Sequence, residues 1–381
     1  LGDYDRALNI YEPTLEYCLE HYGELHEKTT TLYINIGGVY HKKGQYDNAL
    51  AYYNMAREIQ EKVLDPQHPD LATTYINIGA VYYSKGEYDN ALKYHNKARE
   101  IREKDLDPQH PNPALATTYN NIGLVYSNRG EYDNALEYHN KAQEIREKVL
   151  DPLHPSLATT YNNIGAVYYS KGEYDNALAY LNKAREIREK VLAPQHPDLA
   201  TTYINIGMAY HYKGECDNAL EYYNKAREIF EKVIDPMHPS LATTYNNIGG
   251  VYDNKGEYDN ALEYYNKARE IFEKVLDPQH PYLATTYNNI GEVYSNKGEY
   301  DKALEYHNKA REIMEEVLDP HHPDLATTYA VIGLVYYNID EYDKCIEFFE
   351  KALVIFEKSN HPYTTLVQSY IEQTKAQMEK Q

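Results

Sequence analysis

The 381-residue chain has no tryptophan, five phenylalanines, five methionines and only three cysteines. Cys18, Cys216 and Cys345 are too few and too scattered to form the disulfide framework that staples small secreted domains. They point instead to a reducing, cytosolic (cytoplasmic) setting, and the lack of any Asn-x-Ser/Thr sequon agrees with it. No apolar run approaches the ~20 residues needed to cross a bilayer, so no membrane partner is expected. Positive charge is also scarce: 38 Lys and Arg against 59 Asp and Glu leave a net charge of −21, which argues against a nucleic-acid surface. The phosphate loop Gly-x-x-x-x-Gly-Lys, the zinc helix His-Glu-x-x-His and the nucleophile elbow are all missing, so the expectation is a chain without catalysis and without a cofactor.

What the chain has instead is tyrosine, 44 of them, and repetition. The stretch from Leu241 to Pro281 recurs along nearly the whole sequence. Its opening Leu-Ala-Thr-Thr-Tyr returns at Leu71, Leu115, Leu157, Leu199, Leu283 and Leu325, at steps of 42 residues, or 44 where Asn112 and Pro113 are inserted. Such a period marks a repeat array in which each unit buries its apolar face against its neighbours.

Each unit reads as two helices. Tyr245, Ile248, Gly249 and Tyr252 fall on one helical face, and Gly256 suits the left-handed residue that ends the helix. Tyr258, Ala261, Leu262, Tyr265, Ala268, Ile271, Val275 and Leu276 then recur at steps of three and four until Asp277-Pro278 stops the run. Pro281 fits the first turn of the next helix, where a missing N–H costs nothing. Small Gly249, Ala261 and Ala268 let helices approach, and Tyr245, Tyr252 and Tyr265 fill the space beside them.

The pattern Tyr-x-x-Ile-Gly-x-x-Tyr, then Gly-x-Tyr-x-x-Ala and Tyr-x-x-Ala, resembles the tetratricopeptide repeat. The 42-residue length and the Asp-Pro-x-His-Pro connection are similar to the kinesin light chain kind. The resemblance implies an all-α fold: a right-handed α-solenoid superhelix of about eight helix pairs over residues 27–361. Residues 1–26 match the second helix of a truncated unit, with Gly2-x-Tyr4-x-x-Ala7 against Gly44-x-Tyr46-x-x-Ala49, and residues 362–381 read as a C-terminal capping helix. With no partner first helix and no initiator Met, the sequence is expected to begin inside a longer protein. Cys216 replaces a repeat tyrosine and Cys345 a repeat alanine, so both are expected to be buried.

His-Pro pairs recur at His68, His110, His154, His196, His238, His280, His322 and His361. Packed helices lie about 10 Å apart, whereas zinc ligands converge within ~2 Å of one ion. These histidines are therefore read as helix starters rather than a metal array. The Asn112-Pro113 insertion is read as a longer exposed connection.

The informative residues are asparagines, which helix propensity does not favour in mid-helix. Asn35, Asn77, Asn121, Asn163, Asn205, Asn247 and Asn289 occupy one equivalent position of the first helices, and Asn120, Asn162, Asn246 and Asn288 the position before it. In tetratricopeptide proteins the first helices line the concave groove. The resemblance implies that such a column clamps the main chain of an extended peptide, each amide donating and accepting; the competing reading is that the amides tie helices together. Relatives that hold a terminal carboxylate carry Lys and Arg on these helices. Here Thr31, Thr73, Thr117, Thr159, Thr201, Thr243, Thr285 and Thr327 stand at matching positions, so that chaperone-type clamp is missing. The groove is expected to be nearly uncharged and edged by Tyr83, Tyr169, Tyr212 and Tyr337. The function this implies is a protein- or peptide-binding scaffold. Repeats of this kind are also found fused to NTPase and ADP-ribosyltransferase modules, so a recognition arm of a larger enzyme is the alternative, and a self-associating array a third.

Overall fold

The computed structural model describes residues 2–104, 112–359 and 362–379. Contacts divide the chain into two compact units, Leu1–Val191 and Leu192–Gln381. The first unit holds α1 (Gly2–His21), α2 (Glu27–Lys42), α3 (Tyr46–Val63), α4 (Pro69–Ser84), α5 (Tyr88–Lys104), α6 (Pro113–Asn128), α7 (Tyr132–Val149), α8 (Pro155–Ser170) and α9 (Tyr174–Val191). The second holds α10 (Pro197–Tyr212), α11 (Cys216–Val233), α12 (Pro239–Asn254), α13 (Tyr258–Val275), α14 (Pro281–Asn296), α15 (Tyr300–Val317), α16 (Pro323–Asn338), α17 (Tyr342–Lys358) and α18 (Thr364–Met378). From α2 onward the helices pair as helix–turn–helix units, the all-α arrangement of a tetratricopeptide solenoid.

Local chemistry sets the helix ends. His280 precedes α14 in extended conformation (φ −70, ψ 133), and its Nδ1 accepts from the Tyr282 N–H at 3.1 Å. That bond satisfies one of the amides a helix start leaves open. His68, His154, His196, His238 and His322 cap their helices in the same way, so the helix-starter reading holds for them. His110 and His361 lie outside the described residues. Before α6 the inserted Asn112 is itself the cap, its Oδ1 accepting from Ala114 N–H at 2.9 Å. At the other end, Gly256 takes φ +73 and the Glu257 N–H reaches back to the Tyr252 carbonyl at 2.9 Å, a bond that needs a left-handed residue in the turn. Asp340 occupies that conformation in the last pair at φ 62, the one non-glycine among the described residues to do so.

The core lies between helices rather than at one centre. Ala261 and Tyr265 of α13 pack with Ile290 and Val293 of α14, and Ala219 and Tyr223 of α11 with Ile248 and Val251 of α12. Each pair thus completes its core on the next. A fully buried isoleucine such as Ile290 contributes about 1.5–3 kcal/mol. Two expectations are corrected. Val275 is 41% exposed while Phe272 is 1% exposed, because the buried stripe runs Ala261, Ala268, Phe272 and leaves Val275 on the outer side of the last turn. Cys216 is only half-buried, being the first residue of α11, whereas Cys345 is fully buried.

Within each unit the first helices also touch one another in sequence, α2 to α4 to α6 to α8 and α10 to α12 to α14 to α16. This row carries the asparagines.

Candidate functional site

Gly249 turns α12 toward its own second helix, α13, while Ile248 packs on α11 of the preceding pair. A Cβ on Gly249 would lie 2.7 Å from the Tyr265 ring, so only glycine admits this approach. The opposite face of α12, carrying Thr243, Asn247, Gly250 and Asn254 at steps of three and four, is left over for other use. In the second unit that face borders a cleft of about 830 Å³ among α10, α12 and α14, which brings Asn247 and Asn289 to one surface. The volume is within the usual range for ligand sites.

The two asparagine positions behave differently. Asn77, Asn121, Asn163, Asn247 and Asn289 are half-buried and make no side-chain hydrogen bond to any described residue, and their amide groups stay open to solvent. Asn205 is half-buried as well, and Asn35 is exposed. The preceding position is structural. Asn120 is 5% exposed; its Nδ2 donates to Thr160 Oγ1 at 3.0 Å and its Oδ1 accepts from His139 Nδ1–H at 2.8 Å. Asn288 repeats this with Thr328 at 2.8 Å and His307 at 3.0 Å. Asn246 donates to Thr286 at 2.8 Å, but its Oδ1 is sealed without a partner because Tyr265, not histidine, stands opposite. Each of these amides joins a first helix to the buried threonine of the next, so Asn120, Asn246 and Asn288 do not offer free amides to a ligand. Asn162 is half-buried with a partner of its own.

Tyr83 is half-buried and its hydroxyl accepts from Asn128 Nδ2 at 2.7 Å; burial raises its pKa. Tyr169 is half-buried against Tyr174, ring centres 6.0 Å apart, while Tyr212 is 62% exposed. Burial pushes His95, His139 and His307 down to about 4, so these imidazoles are neutral packing groups, His139 further disfavoured as a cation by Arg146.

The expectation of a nearly uncharged face is corrected in two places. In the first unit Arg146, 7% exposed, donates to the Ser156 carbonyl and Thr160 Oγ1 from its second helix and reaches Thr117 Oγ1 at 3.3 Å; Arg102 does the same with Ala114, Thr118 and Thr73. In the second unit the equivalent position is apolar, Phe230, Phe272 and Met314, and the face instead carries Asp253 on α12 and Glu292 on α14. A signal was present for Glu292: one column of the first helices reads Gly38, Ala80, Leu124, Ala166, Met208, Gly250, Glu292 and Leu334. Variation of that sort inside near-identical units marks a position that packing does not constrain.

The tetratricopeptide repeat family matches residues 1–62, 28–104, 114–190, 156–232, 240–316 and 282–358. No protein of curated function matches the sequence. Among solved structures, the chain is similar to apo RapI (20% identity over 76% of this chain and 98% of that one, TM-score 0.58). It is also similar to BtubC (BKLC) from P. vanneervenii (24%, 61% and 92%, TM-score 0.50) and to a putative kinesin light chain with nearly identical repeats from Podosopora anserina (22%, 55% and 99%, TM-score 0.47). These likenesses concern the fold. No described helix is long and apolar enough to cross a membrane.

Proposed function

The chain belongs to the tetratricopeptide repeat family, whose members generally bind proteins, and from that premise we propose that it is a non-catalytic scaffold holding an extended peptide segment on its first helices. The observation that carries this reading is the column Asn77, Asn121 and Asn163 in the first unit and Asn247 and Asn289 in the second: amides with no hydrogen-bond partner among the described residues, open to solvent, at the same place in their helix pairs. A carboxamide pairs with one N–H and one C=O of an extended main chain at once, and does so whatever side chains the segment bears. The three free cysteines suit action in a reducing, cytosolic compartment.

Peptides selected from a random dodecapeptide display library, measured against the whole chain and an Asn247→Ala, Asn289→Ala variant, test the proposal. Each lost hydrogen bond removes roughly 0.5–1.5 kcal/mol, so affinity should fall at least tenfold across the panel. The melting temperature should hold, since alanine is the better helix former. Unchanged affinity with a lowered melting temperature would end the reading.

A further inference from the structure

The cleft of the second unit differs from the rest of the asparagine-bearing face in its charge. Asp253 projects from α12 and Glu292 from α14, and no Lys or Arg is among the described residues lining the space. His211 does not supply the missing charge: its Nε2 accepts from Asn254 Nδ2 at 2.6 Å, and burial lowers its pKa, so it is neutral near pH 7. Crowding by the cleft wall raises the pKa of both carboxyls, and Asp253 raises that of Glu292 further. Among the described residues, the one hydrogen bond to the Asp253 carboxylate is the long 3.5 Å bond from Asn296 Nδ2. Two carboxylates thus face one cleft, incompletely hydrated and without a counter-charge.

A second feature points at the same place. Tyr265 is 3% exposed, yet its hydroxyl has no hydrogen-bond partner among the described residues and opens into the cleft beneath Gly250. A Cβ on Gly250 would stand 3.4 Å from that hydroxyl and 3.3 Å from His211 Cε1, so the absent side chain is what keeps the notch open. Met208 and Tyr282 give the rim an apolar character. A polar floor, acidic walls and an apolar rim suit a long side chain that buries its methylenes and ends in a cation.

Building on the peptide-binding reading, we propose that this cleft is a specificity subsite that takes a lysine or arginine side chain of the bound segment between Asp253 and Glu292, above the Tyr265 hydroxyl. A divalent metal is the poorer occupant, because three metal-type ligands do not converge anywhere among the described residues.

The test uses the whole chain and the same random dodecapeptide display library. The recovered peptides should share a Lys or Arg at one fixed place, and exchanging it for norleucine should weaken binding at least tenfold. In an Asp253→Asn, Glu292→Gln variant the lysine and norleucine peptides should bind equally, while the norleucine peptide binds as it does to the unaltered protein. Gly250→Leu, which closes the notch in a sequence position where Leu124 and Leu334 are tolerated, should abolish the lysine preference with the melting temperature retained. Peptides recovered without a common basic residue, yet still weakened by the asparagine substitutions, would overturn the subsite and leave the scaffold reading intact. Recovery of no binding peptide at all would overturn both.

Discussion

Asn120 Oδ1 and His139 Nδ1 lie 2.8 Å apart, and the same amide reaches Thr160 on the next first helix at 3.0 Å. One buried carboxamide thereby links α6, α7 and α8. The neighbouring Asn121, turned by one residue, has no such partner.

Asn120→Ala should therefore destabilise the protein by about 1–3 kcal/mol, because it leaves the buried His139 N–H without its acceptor and removes one of the hydrogen bonds to Thr160, which keeps those to Arg146 and the Ser156 carbonyl. Asn121→Ala should be neutral or slightly stabilising. Urea unfolding of the two single variants decides the matter; equal losses would show that the two positions do not divide the work as described.

Gly249→Ala brings a methyl within 2.7 Å of the Tyr265 ring and should cost about 1–3 kcal/mol, although alanine is the stronger helix former. Gly256→Ala meets no atom within 4 Å and is strained only by its φ of +73, a penalty of about 1–2 kcal/mol. The close approach predicts coupling: in a Tyr265→Ala background the added cost of Gly249→Ala should nearly vanish, because the ring it meets is gone, while the cost of Gly256→Ala should be unchanged. Thermal melts showing the same cost for Gly249→Ala with and without Tyr265→Ala would count against the close approach.

Acid should weaken the fold through three histidines. His95, His139 and His307 stand at about 4 in the folded protein and near 6.5 when unfolded. Between those values the unfolded chain binds the extra proton, so stability falls as pH drops from ~6.5 toward 4, by about 1.4 kcal/mol per pH unit for each site. His95→Leu is the cleanest probe, because Ile76 replaces the usual asparagine and His95 Nδ1 has no partner to lose. Its stability should vary less steeply over that window than the parent's; an identical slope would refute the assignment.

Removing α18 should uncover the last pair. Phe349 stacks on Tyr370 at 5.5 Å, and Val367, Ile371 and Thr374 are buried against α17. A chain ending before Tyr363 should lose hydrogen-exchange protection first in α16 and α17 and become less soluble, because adjacent pairs in such arrays depend on one another. Uniform protection after truncation would contradict this.

The sequence by itself determined the repeat, the helix pairs and their ends. Those follow from interactions within four or five residues: a histidine accepting two residues on, a proline at the first turn, a glycine with positive φ. Helical periodicity also placed Gly249 beside Tyr265. Only the tertiary structure separated Asn246 from Asn247, since successive residues are about 100° apart on a helix and the rotation of α12 against its neighbours decides which amide is sealed. The same rotation buried Phe272 and released Val275. It also set Asp253 and Glu292, on different first helices, around one cleft. Contacts between residues some forty positions apart depend on how helices dock, and no single helix carries that information in its own pattern.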